Sequence, residues 1–319
     1  MIKLQFVMEN IRSKIALLVI YNHRYDENIS RIERIYSCRF TYLYHVMPFY
    51  DGDKSNVLSV YESSYQYQSY VAQAYQQIKR SEAKCVYSHF FVVADDMIIN
   101  PNITEDNLFE YTGIGVDECY IISVRDISKE KYPMSQFHTI SSFNVKIGRE
   151  KIPTYDEAIE RMRAYGCIEH FAFRWSQLAQ HLAHLLISLF GTRKKYQLKM
   201  IFRVLKMFFL RKKFSYPIVW GGCDCLLLTE SVMSTFCTYC GVFAASELFV
   251  EFAIPTALIL STRKIITSDD IRLSCIAQLY MVNEAAFCEK YRYSLTSLLE
   301  DYPEDVFFIH PIKLSKWIK

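Results

Sequence analysis

Two carboxylates stand directly behind an apolar run in the stretch Phe90-Phe91-Val92-Val93-Ala94-Asp95-Asp96. An ion withdrawn from water without a partner costs several kcal/mol. A buried strand that ends in Asp95 and Asp96 therefore delivers them to something beyond its end: a cation, a ligand, or water and a helix N-terminus. The cysteines offer a second chemistry. Cys223, Cys225, Cys237 and Cys240 follow C-x-C-x11-C-x2-C, and zinc accepts four thiolates. They fall within apolar strand and helix patterns, where buried thiols are ordinary core residues, so a zinc-binding interaction module is the alternative reading. His170, His181 and His184 include an i, i+3 pair without a carboxylate partner nearby and read as helix surface or interface. The sequence contains no Walker-type loop, nucleophile elbow or GxGxxG motif.

The elements around the acidic pair alternate strand and helix. Residues 14–21 form an apolar run, and 26–37 carry Ile29, Ile32 and Ile35 at helical spacing. Residues 39–47 and 57–61 read as strands. A helix over 63–80 has Ser63 as its cap and Tyr67, Val71, Ala74 and Ile78 on one face. The strand over 86–94 follows. This order predicts an α/β fold with a mainly parallel sheet and helices on both faces. Ligands of such sheets sit beyond the carboxyl ends of the strands, where Asp95 and Asp96 lie.

Farther on, Pro153 and Gly166 bracket a helix over 153–166. Residues 216–228 read as strand, glycine turn and strand. Helices are expected over 229–241 and 245–260, the second interrupted at Pro255 and carrying Glu247 and Glu251 at i, i+4. The organisation is one domain over 1–319 with a helical basic insert at about 153–213.

At 319 residues, 51% hydrophobic and 22% charged, the chain has the composition of a folded protein. It has no visible signal peptide and no apolar stretch of spanning length. With that reading, ten cysteines indicate a reducing compartment. The net charge of +3 conceals an asymmetry: residues 170–223 carry ten cations and no acid, leaving the rest of the chain at −7. Within 192–213, Lys199, Arg203 and Lys206 share one helical face, and Ile201, Val204, Leu205 and Phe208 another. A basic amphipathic helix of this kind suits an anionic membrane surface. No nucleic-acid-binding motif accompanies the charge.

Several of these pieces together resemble glycosyltransferases of the GT-A fold, in particular bacterial surface-polysaccharide enzymes. The resemblance covers roughly residues 14–112 and 216–314. In that family a first strand ends at the nucleotide, and a later one ends in an Asp-x-Asp-like motif holding a divalent metal on the sugar diphosphate. Val19-Ile20-Tyr21-Asn22 fills the first role, and Ala94-Asp95-Asp96 the second without the first carboxylate. The resemblance implies Asp96 as ligand to Mn²⁺ or Mg²⁺ and Asp95 nearer the ribose or sugar. Such ions take hard oxygen ligands and need few carboxylates when phosphates supply the rest. Trp220-Gly221-Gly222-Cys223-Asp224 resembles segments beside donor sugar and acceptor, which implies close backbone approach at both glycines and Asp224 as general base. It also implies His310 as a second metal ligand and Lys313 on the diphosphate; Glu247 and Glu251 are candidates to contact sugar hydroxyls or, equally, to pair with the basic segment. The expected function is transfer of a sugar from a nucleotide sugar to a glycan or lipid-linked acceptor, in the cytoplasm at the inner face of the membrane. A non-catalytic membrane-associated α/β scaffold is the remaining alternative.

Overall fold

The computed structural model describes residues 14–81, 87–127, 143–167, 215–279 and 284–317, with Ala179, Phe202, Leu205, Lys206 and Phe209. The chain divides into two compact units. The first comprises Met1–Ile122, Asp224–Ser234 and Lys264–Lys319, and the second Ser123–Cys223 and Thr235–Arg263.

The first unit opens with β1 (Ile15–Ile20), buried at all six residues; a strand covered on both faces is apolar throughout instead of alternating. Next, α1 (Glu27–Tyr36) buries Ile29, Ile32, Ile35 and Tyr36, the stripe its helical spacing demands. Then come β2 (Tyr42–Pro48), β3 (Val57–Val60) and α2 (Gln68–Ser81). In α2, Val71, Ala74 and Ile78 point inward as their spacing requires. The acidic pair follows β4 (His89–Ala94), and β5 (Ile98–Ile99), α3 (Leu108–Thr112) and β6 (Cys119–Ile121) come next. Beyond α4 (Tyr155–Arg163) of the second unit, the chain re-enters the first as β7 (Cys225–Thr229). Helix α5 (Glu230–Ala245) leads back to the second unit and its α6 (Val250–Ser261). The first unit closes with β8 (Ile265–Ile266), β9 (Ser274–Ile276), α7 (Glu284–Tyr291), α8 (Leu295–Glu300) and β10 (Val306–Ile309).

These strands form a seven-stranded sheet in the order β3-β2-β1-β4-β7-β6-β8 and a three-stranded sheet in the order β5-β10-β9. The pairs β1–β2, β1–β4, β2–β3 and β6–β8 are parallel, whereas β7 is antiparallel to both β4 and β6. The fold is thus α/β with a mostly parallel sheet flanked by helices, made mixed by β7, which runs against both of its neighbours. Asp224 enters next to Ala94, at the carboxyl end of β4, so the strand that follows has to run back along it.

In the second unit, Thr154 caps α4 with a reciprocal capping box to Glu157, and Gly166 adopts a φ of 72° behind the helix. The expected interruption of 245–260 at Pro255 is corrected, because α6 runs through it. Proline removes the N–H that would reach the carbonyl four residues back. That carbonyl, of Glu251, instead accepts from the Gly221 N–H at 3.0 Å. A side chain at Gly221 would collide with the Ser123 carbonyl oxygen. The break falls earlier, where the Leu248 N–H donates to Phe243 and the Glu247 N–H to Ala244, closing α5 in a Schellman motif. Glu247 occupies its left-handed position at a φ of 58°, so it and Glu251 do not share a helix.

Of the basic run 192–213, only Phe202, Leu205, Lys206 and Phe209 are described; all four are helical, and both phenylalanines are exposed. The remainder of that run, and His170, His181 and His184, lie outside the described residues. Among the described residues no helix is long and apolar enough to cross a membrane.

Two substitutions in this unit should move stability in opposite directions. Gly221→Ala should lower the unfolding free energy by about 1–3 kcal/mol through overpacking. Glu247→Gly should raise it by about 1 kcal/mol by relieving the left-handed residue. Denaturant titration of both variants checks this; an unchanged midpoint for Gly221→Ala contradicts the close approach of Gly221 to the Ser123 carbonyl.

Candidate functional site

Parallel pairing of β1 with β4 sets Ile20 beside Ala94, and the Asp95 N–H donates to the Ile20 carbonyl at 2.9 Å. From β1 the chain proceeds outward to β2 and β3, then returns to β4 on the other side of β1. The carboxyl ends of β1 and β4 are therefore a topological switch point, the usual ligand crevice of an open α/β sheet. Antiparallel β7 sets Val93 beside Cys225, and the Ala94 N–H donates to the Asp224 carbonyl at 3.0 Å. Two acidic segments far apart in sequence thus share one sheet edge.

His310 reaches the same edge from the smaller sheet. Its N–H donates to the Ile276 carbonyl at 2.8 Å, and the Ile312 N–H donates to the Asp96 carbonyl at 2.6 Å. The imidazole Nδ1 lies 3.0 Å from the Ala277 carbonyl oxygen and Nε2 lies 3.1 Å from Asp96 Oδ1. Both partners are acceptors, so the doubly protonated ring satisfies both. Burial opposes that charge, but the Asp96 hydrogen bond and the Asp224 charge outweigh it and raise His310 to about 9. Burial and the neighbouring Asp96 push Asp95 up to about 7, against the Asn28 hydrogen bond and His310. Asp224 is half-buried yet closely surrounded by protein. Burial raises it, with His310 opposing and Asp96 adding to the rise.

The other expected site residues divide. The Tyr21 side chain is fully buried, with the hydroxyl 2.8 Å from His45 Nδ1, so at the strand end this residue presents its backbone. Asn22 is exposed in the loop after β1, against His23. Lys313 is exposed three residues past His310. The remainder lie in the second unit. There the Trp220 indole donates to Glu251 Oε2 at 3.0 Å, with Arg125 stacked over the indole ring at 5.4 Å. The Gly222 N–H donates to Ser123 Oγ at 3.0 Å. Glu247 is exposed, with Lys146 Nζ at 3.6 Å. Glu251, Trp220 and Gly221 are thus engaged with one another around the Pro255 turn.

Three residues beside the cluster escaped the sequence reading. Asn28, buried in the first turn of α1, hydrogen-bonds to Asp95 and accepts from Arg31 Nη1 at 3.0 Å. An asparagine at a helix start reads as a cap, so its inward role left no sequence signal. At the carboxyl ends of β2 and β3, exposed Phe49 and Tyr61 meet edge to face, 5.8 Å between centroids. Phe49 holds a φ of 54°, a strained conformation of the kind that concentrates at functional sites.

Once His310 releases the Nε2 proton it shares with Asp96, the two side chains would fit the two-ligand edge of a small divalent ion. Ligands at about 2.1 Å and right angles around an octahedral metal lie about 3.0 Å apart, and Asp96 Oδ1 and His310 Nε2 are separated by 3.1 Å. The Nδ1 contact to Ala277 is the outer bond that fixes a ligating imidazole. Among the described residues no group of three or more His, Cys, Asp or Glu side chains is arranged for a metal, so phosphate and water oxygens would complete the shell. Cys223, Cys225, Cys237 and Cys240 are all buried. Burial raises Cys225, Cys237 and Cys240, which disfavours the thiolate form that zinc requires.

Comparisons with protein-family models, with curated proteins and with solved structures returned no match.

The raised acids give a pH signature. Asp95 keeps its proton to about 7 when folded but releases it near 3.8 when unfolded, and His310 keeps its proton to about 9 instead of 6.5. In each interval the unfolded chain binds fewer protons, so stability falls as pH rises. Buried His45, lowered to about 4, and His89, also lowered, act in the opposite sense below pH 6.5. Wild-type stability in chelated buffer should therefore decline from pH 7 to 9. The advantage of Asp95→Asn over wild type should grow from pH 5 to 8; urea midpoints that differ by a constant amount contradict the assignment.

Proposed function

We propose that this chain is a glycosyltransferase of the GT-A type, moving a sugar from a nucleotide sugar to a glycan or lipid-linked acceptor in bacterial surface-polysaccharide synthesis. One observation carries the reading: Asp95, Asp96, Asp224 and His310 converge at the carboxyl edge of the sheet, beside the β1–β4 switch point. Asp96 and His310, the latter as a neutral imidazole, are the residues that would hold Mn²⁺ or Mg²⁺, and such an ion would supply Lewis-acid stabilisation of a leaving diphosphate. Asp95, steadied by Asn28, accepts hydrogen bonds from ribose or sugar hydroxyls. Asn22 and exposed Lys313 flank the nucleotide and its diphosphate.

Asp224 is the general base for the acceptor hydroxyl. Burial raises it toward the working pH, where a carboxylate withdraws a proton most effectively. The basic run 192–213 docks the enzyme on anionic lipid at the cytoplasmic face, at roughly 1 kcal/mol per cation. A scaffold without catalysis would bind no nucleotide, so nucleotide binding separates the two readings.

A thermal-shift screen of nucleotides and nucleotide sugars should show stabilisation that depends on Mn²⁺. Asp96→Asn should abolish that dependence, and Asp224→Asn should retain binding but lose transfer by about a hundredfold or more. No shift with any nucleotide, with or without metal, sinks the assignment. Lys199, Arg203 and Lys206 changed together to Glu should release the protein from anionic vesicles. Undiminished sedimentation of that variant removes the membrane role.

A further inference from the structure

In the first unit a cavity of about 160 Å³ opens between α1, α8 and Trp317. Its lining combines two cations, Arg31 and Arg34, with apolar Ile35, Leu295, Leu299 and Trp317 and the hydroxyl of Thr296. Among the described residues no carboxylate lines it. The arginines are three apart on α1 and so share a face. Arg31 is already oriented, its Nη1 donating to Asn28 Oδ1 at 3.0 Å; Glu27, 3.8 Å from its Nη2, is largely exposed and so neutralises it weakly. Arg34 is exposed and makes no hydrogen bond or ion pair among the described residues. Trp317 is buried among Phe287, Tyr291 and Tyr293, with ring centroids 5.9–6.5 Å away, so its indole is held by packing.

Two guanidinium forks a helical turn apart suit a doubly charged, multi-oxygen anion better than a single carboxylate. The volume limits the rest of the molecule. The cavity is smaller than the roughly 300–1,000 Å³ of clefts that enclose drug-sized ligands, which suits a phosphate carrying a compact apolar group. We propose that this cavity binds the phosphate monoester of a small apolar group, with the phosphate on Arg31 and Arg34 and the apolar part against Ile35, Leu299 and Trp317. The site is independent of the glycosyltransferase reading, and its nearest link to the acidic cluster is the Arg31–Asn28–Asp95 hydrogen-bond chain.

Titration calorimetry of the full chain with phenyl phosphate tests it. One site per chain is expected, with inorganic phosphate and phenol each binding at least about tenfold more weakly, since each retains one half of the contact. Arg34→Gln, a surface change that leaves the fold intact, should weaken phenyl phosphate at least about tenfold, and Arg34→Lys less. Absence of binding, an affinity unchanged in Arg34→Gln, or displacement by excess uridine diphosphate each overturns the proposal. Dihexanoyl phosphatidic acid distinguishes the sources: competition with phenyl phosphate assigns the site to a lipid headgroup, and binding without competition by the lipid assigns it to a soluble ester.

Discussion

The carboxyl edge of the sheet depends on a charge balance: three carboxylates gathered around one imidazole that keeps its proton. Asp96 and Asp224 hold His310 charged, and His310 in turn moderates the repulsion that Asp96 exerts on Asp95 and Asp224. Like charges brought close cannot all ionise at their ordinary values. Asp95 retains its proton beyond the ordinary carboxylate range because it is both desolvated and beside Asp96.

That balance is fixed by backbone, since every member lies next to a strand end. Asp95 is tied to Ile20, Asp224 to Ala94, and Ile312 to Asp96, all through main-chain hydrogen bonds. Behind the acidic pair, the buried Tyr36 hydroxyl donates to Met97 and accepts from Ile99, while Asn100 donates to the Val306 carbonyl. The turn after β4 is therefore anchored to α1 on one side and to β10 on the other. A site carried on such rigid elements keeps its geometry before any ligand arrives.

The sequence made some of this legible. The apolar runs of β1 and β4 and the isoleucine spacing of α1 announce themselves, because burial imposes those patterns directly. The acidic pair behind β4 stands out for the same reason, being polar where the pattern demands apolar. The direction of β7 was hidden: a short buried run such as Cys225–Thr229 reads the same whichever way its neighbours run. Glu247 in a left-handed turn was hidden too, since that position ordinarily announces itself with glycine. Pro255 misled for a tertiary reason. The carbonyl it orphans is satisfied by Gly221, a partner that no local rule can see.

The cluster is also hard to explain as scaffolding. Desolvating ionisable groups beside one another is unfavourable, and an apolar replacement of similar volume is often as stable or more so. The strand ends that carry Asp95 and Asp224 lie on a core of Ile20, Tyr21, Val93 and Met97, which are all buried, so packing alone gives no reason for carboxylates there. Water alone is also insufficient, because Asp95 is only 9% exposed and its carboxylate hydrogen-bonds Asn28 inside the fold. Perturbed acids at a sheet's switch point are the usual mark of a site that handles protons, cations or hydroxyl groups. The stability given up at this edge is most simply understood as the cost of keeping charge available to a ligand.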